Sequence, residues 1–291
     1  MRVVNPDAAA IAWWAWPLAL FAVTFLLGIV AVLAGLGGGV LFVPIVGGFF
    51  PFHLDFVRGA GLLLALSGAL SSSPALLREG LASMRLTLPL ALIGSIASMG
   101  GAVAGLALPT NVVQVALGTV ILGICLLIWR SRRSEQPQVD APDALGAALR
   151  LNGIFVDAAT GRTLAWQVHR TPLGMVAFAG IGFMAGMFGL GAGWANVPVL
   201  NLLLGAPLKV AVGTSGLMLS VIDTSAAWVY LYRGAVLPML VVPSIIGVML
   251  GAKIGVRLLR VAPAATIRRI VIALLLVAGL RALLKGLGIW N

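Results

Sequence analysis

The chain has 291 residues, of which 61% are hydrophobic and only 9% are charged, and its formal net charge is +11. Soluble domains carry about 25% charged residues, so this composition excludes a soluble enzyme, a nucleic-acid-binding domain and a disordered chain. The excess of Lys and Arg is instead typical of loops held at an anionic membrane face. The sequence therefore predicts an integral membrane protein in contact with the lipid bilayer.

A long apolar run begins directly after residue 16, and residues 1–16 precede it. Trp13, Trp14 and Trp16 are typical of an aromatic belt at the membrane interface. The first hydrophobic stretch is not followed by a small-residue cleavage site, which predicts a retained membrane segment rather than a signal peptide. We therefore expect residues 1–16 to form an interfacial segment.

Eight apolar runs follow, four on each side of one polar segment. They cover residues 17–50, 56–77, 86–108, 110–129, 172–204, 211–232, 235–259 and 264–284. A spanning helix needs about 20 apolar residues, which predicts an all-α polytopic membrane protein with about eight transmembrane helices. The first run of each half is too long for one span, because about 33 helical residues reach about 50 Å. We expect each of these two runs to tilt, break or re-enter.

The polar segment at residues 131–171 separates a first transmembrane repeat, residues 17–130, from a second one, residues 172–291. Its cations predict a cytoplasmic linker by the positive-inside rule. Alternating apolar and polar residues on both sides of Gly161 predict a small β-hairpin within it.

The distribution of the other cations tests a plain eight-helix topology. Arg78 and Arg85 fall on the same side as the linker, whereas Arg260, Arg268 and Arg269 fall on the opposite side. The second group contradicts the positive-inside rule, so this rule conflicts with a plain eight-helix topology.

The two halves align without a gap when they are shifted by 154 positions. The matches are mostly Gly and Pro, which fix backbone geometry, rather than residues that any two apolar helices share. Matched pairs include Gly59 with Gly213, Gly80 with Gly234, Pro89 with Pro243, Gly101 with Gly255 and Pro109 with Pro263. Two homologous four-helix repeats are therefore predicted, as in many secondary transporters. Four spans per half predict parallel repeats and a re-entrant first run predicts inverted ones; both remain open.

Two related segments, GLGGGVLFVP at residues 35–44 and GLGAGWANVP at residues 189–198, begin the two halves. Each glycine disfavours a helix by up to about 1 kcal/mol, whereas each proline suits the first turn of a new helix. The first helix of each repeat is therefore predicted to break at GLGxG and to restart near the proline. Unwound backbone at membrane depth lines cavities, and a restarted helix directs free N–H groups toward an anion. The alternative is close helix packing through small residues.

We predict that a small anion binds between the two breaks, held mainly by backbone N–H groups. Asn196, Thr214 and Ser215 are expected to add polar side chains. The predicted substrate-binding residues are Gly35, Gly37, Gly38, Gly39, Pro44, Gly189, Gly191, Gly193, Asn196, Pro198, Thr214 and Ser215.

Three charged residues are candidates for coupling or for attracting the anion. Asp223 lies near the centre of an apolar run, where a carboxylate costs about 2.5–3.5 kcal/mol on insertion scales; it is either a proton-coupling site or a structural hydrogen-bonding group. Lys253 begins a cationic stripe with Arg257 and Arg260 that either reaches headgroups or forms an anion vestibule. Arg58 has the same two interpretations.

The paired G-L-G-x-G-x-x-x-x-P segments, followed by AVGTS at residues 211–215, resemble the TauE/SafE family of anion permeases. NGIFVD at residues 152–157, with Gly161, resembles the loop between the repeats of that family. The resemblance covers about residue 20 to about residue 285. It implies transport of sulfite, sulfonates or related organosulfur anions in a bacterial cytoplasmic membrane. The first half departs from the pattern, because residues 59–61 read GAG where residues 213–215 read GTS.

The predicted function is therefore secondary transport, most simply export, of a small sulfur-containing anion, with protons as a candidate coupling ion. The alternatives are an anion channel, and a non-transporting membrane subunit or intramembrane enzyme. The sequence contains no HExxH, GxSxG or Walker A motif, and it has one Cys and two His. We therefore expect no enzyme activity, cofactor or metal site, and no nucleic-acid partner. The oligomeric state stays open.

Overall fold

The computed structural model of the protein describes residues 14–34, 38–78, 80–130, 139, 141–156, 163–259 and 264–289. This part of the chain is mostly helical, because backbone groups in an apolar environment must pair within their own segment. Its elements are α1 (Ala15–Ala34), α2 (Gly38–Phe49), α3 (Leu54–Arg78), α4 (Met84–Ala107), α5 (Thr110–Arg130), α6 (Ala144–Ala148), β1 (Gly153–Val156), β2 (Thr163–Trp166), α7 (Thr171–Phe188), α8 (Gly193–Pro198), α9 (Leu208–Tyr232), α10 (Pro238–Leu259) and α11 (Ala264–Gly286).

The long first run of each half is divided into two helices. In the second half α7 ends at Phe188, and Gly189 caps it in the left-handed region with φ of 69°. The prediction that the new helix restarts near the proline is wrong. The chain becomes helical again at Gly38 and at Gly193, so that Pro44 lies inside α2 and Pro198 ends α8.

Pro198 instead marks a change in the helical geometry. The chain continues beyond it as a π-helical turn, Val199–Leu203. Proline has no N–H to donate to the carbonyl four residues earlier, and π turns commonly occur where the regular hydrogen-bond ladder is interrupted. Leu204 closes this wider turn by donating its N–H to the carbonyl of Val199 at 3.0 Å.

Each divided run folds back on itself as a hairpin. The Trp16 ring, at the start of α1, lies 6.0 Å from the Phe50 ring and 5.9 Å from the Phe52 ring, both of which follow α2. In the second half the His169 N–H, just before α7, donates to the Leu204 carbonyl at 3.1 Å. The chain therefore enters and leaves each hairpin at the same end.

The strongest helix contacts join the two halves. Helix α1 packs against α10, α4 against α7, α5 against α11, and α3 against α9. Helices α3 and α9 each have 25 residues and begin 154 positions apart, which is the offset of the sequence alignment. Small residues allow the close approach: a Cβ added at Gly101 or Gly251 would collide with the carbonyl of Phe183 or Phe25.

The linker contains the predicted β-hairpin, since β1 pairs antiparallel with β2 and Gly153 lies opposite Trp166. The turn predicted at Gly161 lies outside the described residues. The short helix α6 was not predicted from the sequence. Asp143 precedes that helix, and its Oδ1 accepts a hydrogen bond from the Thr171 hydroxyl at 2.7 Å, which ties the linker to the start of α7.

Among the described residues, α4, α7 and α9 are long and apolar enough to cross a bilayer. Shorter apolar segments occupy Ala15–Ala31, Gly38–Phe49, Thr110–Leu126 and Pro238–Ile254. Of the predicted interfacial tryptophans, Trp14 is exposed, Trp16 packs within the first hairpin, and Trp13 lies outside the described residues.

Candidate functional site

The two predicted breaks meet in the interior of the protein. A Cβ added at Gly39, near the start of α2, would lie 2.6 Å from the Leu190 carbonyl oxygen and 2.8 Å from that of Gly61. A Cβ at Gly61 would in turn collide with the Gly189 carbonyl. The backbones of α2, α3 and the second break are therefore in direct contact. Gly35 and Gly37 lie outside the described residues.

This contact decides what the observed conformation can hold. Even a methyl group does not fit between Gly39 and Leu190, so an anion does not fit there either. The predicted binding of an anion between the two breaks therefore stays a prediction.

The second break has a backbone that only glycine adopts readily. Gly189 and Gly191 have φ values of 69° and 73°, where a Cβ is disfavoured. A Cβ added at Gly191 would lie 2.9 Å from Asp223 Oδ2 and 2.9 Å from the Ala65 Cβ. Gly191 therefore sets the distance between the break and the Asp223 side chain on α9.

Asp223 is a titratable residue whose side chain adjoins Gly191 in this break. Its side chain is fully buried, and neither carboxyl oxygen has a hydrogen-bond partner of normal geometry. The backbone N–H of Ala192 lies near enough to interact with the carboxyl group without completing such a bond. Buried polar groups are almost always paired, so an unpaired carboxyl beside an unwound helix marks a functional candidate.

Helix α8 adds two more unpaired polar side chains. Asn196 is completely buried, and both its amide nitrogen and its amide oxygen lack a partner among the described residues. The indole N–H of Trp194 is also buried and unpaired. Together with Asp223, these groups leave donors and acceptors available near Gly193, where α8 begins. Each such group costs about 1–3 kcal/mol when it stays unpaired.

Thr214 and Ser215 lie elsewhere, near the start of α9. Both are buried, and the Thr214 hydroxyl oxygen accepts a hydrogen bond from the Ser83 N–H at 3.1 Å. Nine helical residues separate Thr214 from Asp223, which is about 13 Å. The structure therefore brings Gly39, Leu190 and Gly191 together, but it does not bring Thr214 to Asp223.

Arg58 is a structural anchor in this conformation. Its side chain is 1% exposed and forms an ion pair with Asp55. It also donates to the carbonyls of Gly105 at 3.0 Å and Met187 at 2.9 Å, and it lies 5.9 Å from the Tyr230 ring centroid. These groups join α3, α4, α7 and α9 and occupy most of the guanidinium's donors.

Asp55 and Tyr230 were not predicted from the sequence. Asp55 and Arg58 are three positions apart, which places their side chains on one helix face. This spacing could have indicated the ion pair between them. Tyr230 had no such signal, because it lies on another helix. Lys253, in contrast, is exposed on α10, and Arg260 lies outside the described residues.

Replacing Arg58 with glutamine is expected to destabilise the protein strongly, because Asp55 would remain buried without its cation. Breaking a buried ion pair from one side costs about 3–5 kcal/mol. Thermal unfolding of the purified protein in detergent measures the effect. Arg233→Gln is the matched control, since Arg233 is exposed after α9. Equal melting temperatures for the two variants would show that Arg58 is not an anchor.

These features define a class of protein: a helical integral membrane protein whose broken helices meet around buried, unpaired polar groups. The chain matches the family described as "Sulfite exporter TauE/SafE" over residues 20–282. It therefore belongs to the TauE/SafE sulfite exporter family, as its motifs had indicated.

A protein from Bacillus subtilis (strain 168), described as "Probable membrane transporter protein YunE", is 25% identical over 267 residues. This similarity covers 89% of the present chain and 94% of that protein. No solved structure matches the chain. Family and relative both indicate a membrane transporter.

Proposed function

We propose that this protein is a secondary transporter that exports a small sulfur-containing anion, such as sulfite or an organosulfonate, across the bacterial cytoplasmic membrane. The family description, which names a sulfite exporter, supports the substrate class and the direction. The observation that carries the proposal is the contact between the two hairpins, where Gly39 meets Leu190 in the protein interior. Secondary transporters commonly bind their substrates between such discontinuous helices.

Alternating access is the proposed mechanism. When α2 and the second break separate, their freed N–H groups and the Asn196 amide face the opened space, and these donors bind the anion. Thr214 and Ser215 contact the anion on its way in from the end of the protein where α9 begins, which is the linker side. Lys253, which is exposed, attracts anions to the surface without binding them tightly.

Asp223 is the proposed coupling site, with the proton as coupling ion. Its carboxyl group is the buried titratable group that adjoins Gly191, so its charge acts on the break directly. A carboxylate there disfavours an anion at the break, whereas a protonated carboxyl does not. Protonation and anion binding are thereby linked through one contact.

Transport by purified protein in proteoliposomes tests the proposal. We expect uptake of a labelled organosulfonate that unlabelled sulfite or thiosulfate competes away, and accumulation against a concentration gradient when a pH gradient is imposed. Fast flux without accumulation would indicate a channel. Absence of uptake for sulfite, thiosulfate, sulfonates and sulfate would contradict transport of this substrate class. Liposomes without protein provide the background.

We further propose that the two repeats have inverted orientations. Each half contributes one re-entrant hairpin, with the contacts of Trp16 and His169 at its open end, and three crossing helices. Because three crossings reverse the direction of the chain, the second half enters from the opposite side. The end of α3, the linker and the start of α11 then share one side. Arg268 and Arg269, near the start of α11, thus join Arg78 and Arg85 on the cytoplasmic side, as the positive-inside rule requires.

Cysteine labelling at two equivalent positions tests this topology. Arg78 and Tyr232 end α3 and α9, lie 154 positions apart and are both exposed. In a background with the buried Cys125 replaced by alanine, we expect Tyr232→Cys to react with a membrane-impermeant maleimide on intact cells. Arg78→Cys should react only after the membrane is opened. Labelling of both positions from the same side would establish parallel repeats instead.

A further inference from the structure

A groove of about 680 Å³ runs along the surface between α4 and α9. It lies apart from the contact between the hairpins. Its lining is predominantly apolar, and Leu149 of the linker closes one end. The lining residues are Arg85, Thr87, Leu88, Pro89, Ala91, Leu92, Ser95, Leu149, Val221 and Ser225.

The groove has a cationic end and an apolar trench. Arg85 lies exposed in the first turn of α4, next to the linker, and it has no ion-pair partner among the described residues. Ser95 lies ten residues further along the same helix, about 15 Å away. Its hydroxyl is buried and without a partner. The side chains of Leu88 and Leu92 between them are 61% and 63% exposed.

These dimensions match one leaflet of a bilayer. The hydrocarbon core is about 30 Å thick, so a trench of about 15 Å beginning at an interfacial arginine reaches the midplane. An apolar trench suits an acyl chain and excludes a small hydrated anion, which would lose its water there without replacement. The free guanidinium at the interface complements a phosphate, which it can bind through two parallel hydrogen bonds.

We propose that this groove binds an anionic phospholipid of the leaflet on the linker side, with its phosphate on Arg85 and one acyl chain along α4 and α9. This inference rests on α4 and α9 crossing the bilayer, and it does not depend on which substrate is transported. The lipid lies behind the part of α9 that carries Asp223, because Val221 and Ser225 line the groove on both sides of that residue. It therefore supports the α4–α9 contact, in which the Ser98 hydroxyl donates to the Ile222 carbonyl at 3.1 Å.

Native mass spectrometry of the detergent-purified protein, titrated with phosphatidylglycerol or phosphatidylcholine, tests the headgroup contact. We expect the wild type to retain phosphatidylglycerol in preference to phosphatidylcholine. Arg85→Gln should bind phosphatidylglycerol about fivefold more weakly, since one interfacial cation contributes about 1 kcal/mol toward an anionic lipid. Arg233→Gln, at the other end of α9, should bind like the wild type. Equal retention of both lipids, or an unchanged affinity in Arg85→Gln, overturns the proposal.

A second pair of variants tests the acyl-chain trench. Val221→Trp places an indole in the groove from a position that is 41% exposed, and Val176→Trp adds the same group to α7 at a position that is 69% exposed. We expect phosphatidylglycerol binding to fall several-fold in Val221→Trp alone. A dimer in the wild type that Val221→Trp dissociates would assign the groove to a second copy of the chain. Displacement of phosphatidylglycerol by sulfite or a sulfonate would assign it to the substrate; either result contradicts the lipid site.

Discussion

Gly191→Val is expected to reduce transport to the level of liposomes without protein, while the variant still inserts into the membrane. Gly191 has φ of 73°, and a β-branched residue there is strained by about 1–3 kcal/mol. The added Cβ would also lie 2.9 Å from Asp223 Oδ2 and 2.9 Å from the Ala65 Cβ. The break and α9 would have to separate, which alters the contact on which the proposed coupling depends. Uptake of a labelled sulfonate by proteoliposomes, normalised to the amount of reconstituted protein, measures the loss.

The matched control is Gly180→Val in the neighbouring helix α7. Gly180 is exposed, and a Cβ added to it would have no neighbour within 4 Å. We expect this variant to keep most of its transport, because valine has a higher helix propensity than glycine and its side chain meets no neighbour here. Gly39→Val should behave like Gly191→Val, since its Cβ would meet the carbonyls of Leu190 and Gly61. Wild-type transport by both Gly191→Val and Gly39→Val would refute a site formed by the two breaks.

Asp223→Asn is expected to abolish substrate accumulation driven by a pH gradient. Exchange of labelled for unlabelled substrate across the membrane should continue. Asparagine preserves the shape of the side chain but cannot take up and release the coupling proton. Because protonation of Asp223 permits the anion to bind, the proton and the anion should cross together, and the anion should accumulate on the alkaline side. One proton per anion supports about tenfold accumulation for each pH unit, since a pH unit corresponds to about 1.36 kcal/mol. Asp223→Asn should show no accumulation at all.

The experiment uses proteoliposomes with an alkaline lumen and an organosulfonate that stays ionised. An ionised sulfonate does not cross the bilayer by passive diffusion as a neutral weak acid does, and liposomes without protein measure any leakage. Thr224→Ala is the control, because Thr224 is the exposed neighbour of Asp223 on α9. Tenfold accumulation by Asp223→Asn would exclude Asp223 as the coupling site. Loss of exchange as well would instead assign Asp223 to binding of the anion.

The positions of the helices followed from the sequence to a large extent. Glycines and prolines fix backbone geometry, and their repetition at an offset of 154 agrees with the starts of α3 and α9 at Leu54 and Leu208, although the apolar runs were placed from residues 56 and 211. The break after Phe188 followed from three glycines in five residues. The restart of each helix was misplaced, because a proline is tolerated inside a helix when its neighbours in the protein satisfy the freed carbonyl.

The contacts between distant segments did not follow from the sequence. Hydropathy gives the length of an apolar run but not the side on which it ends, so the return of α2 to Trp16 was one of several possibilities. The sequence identified Asp223 as a charge in an apolar run, but not that Gly191 lies against it. It also identified Arg58, but not that its side chain donates to the carbonyls of Gly105 and Met187. Every residue type has the same backbone carbonyl, so the sequence does not indicate which carbonyls accept a hydrogen bond.

The exchange of helix partners between the halves has a consequence for how the protein is made. Helix α1 packs against α10, which begins about 200 residues later, and α7 packs against α4. While the ribosome is still producing the second half, the face of α1 that packs against α10 and the face of α4 that packs against α7 have no helix partner. Insertion of the individual segments must therefore precede assembly. A chain that stops after the linker would be inserted but unassembled, with its close-packing surfaces open to quality-control proteases.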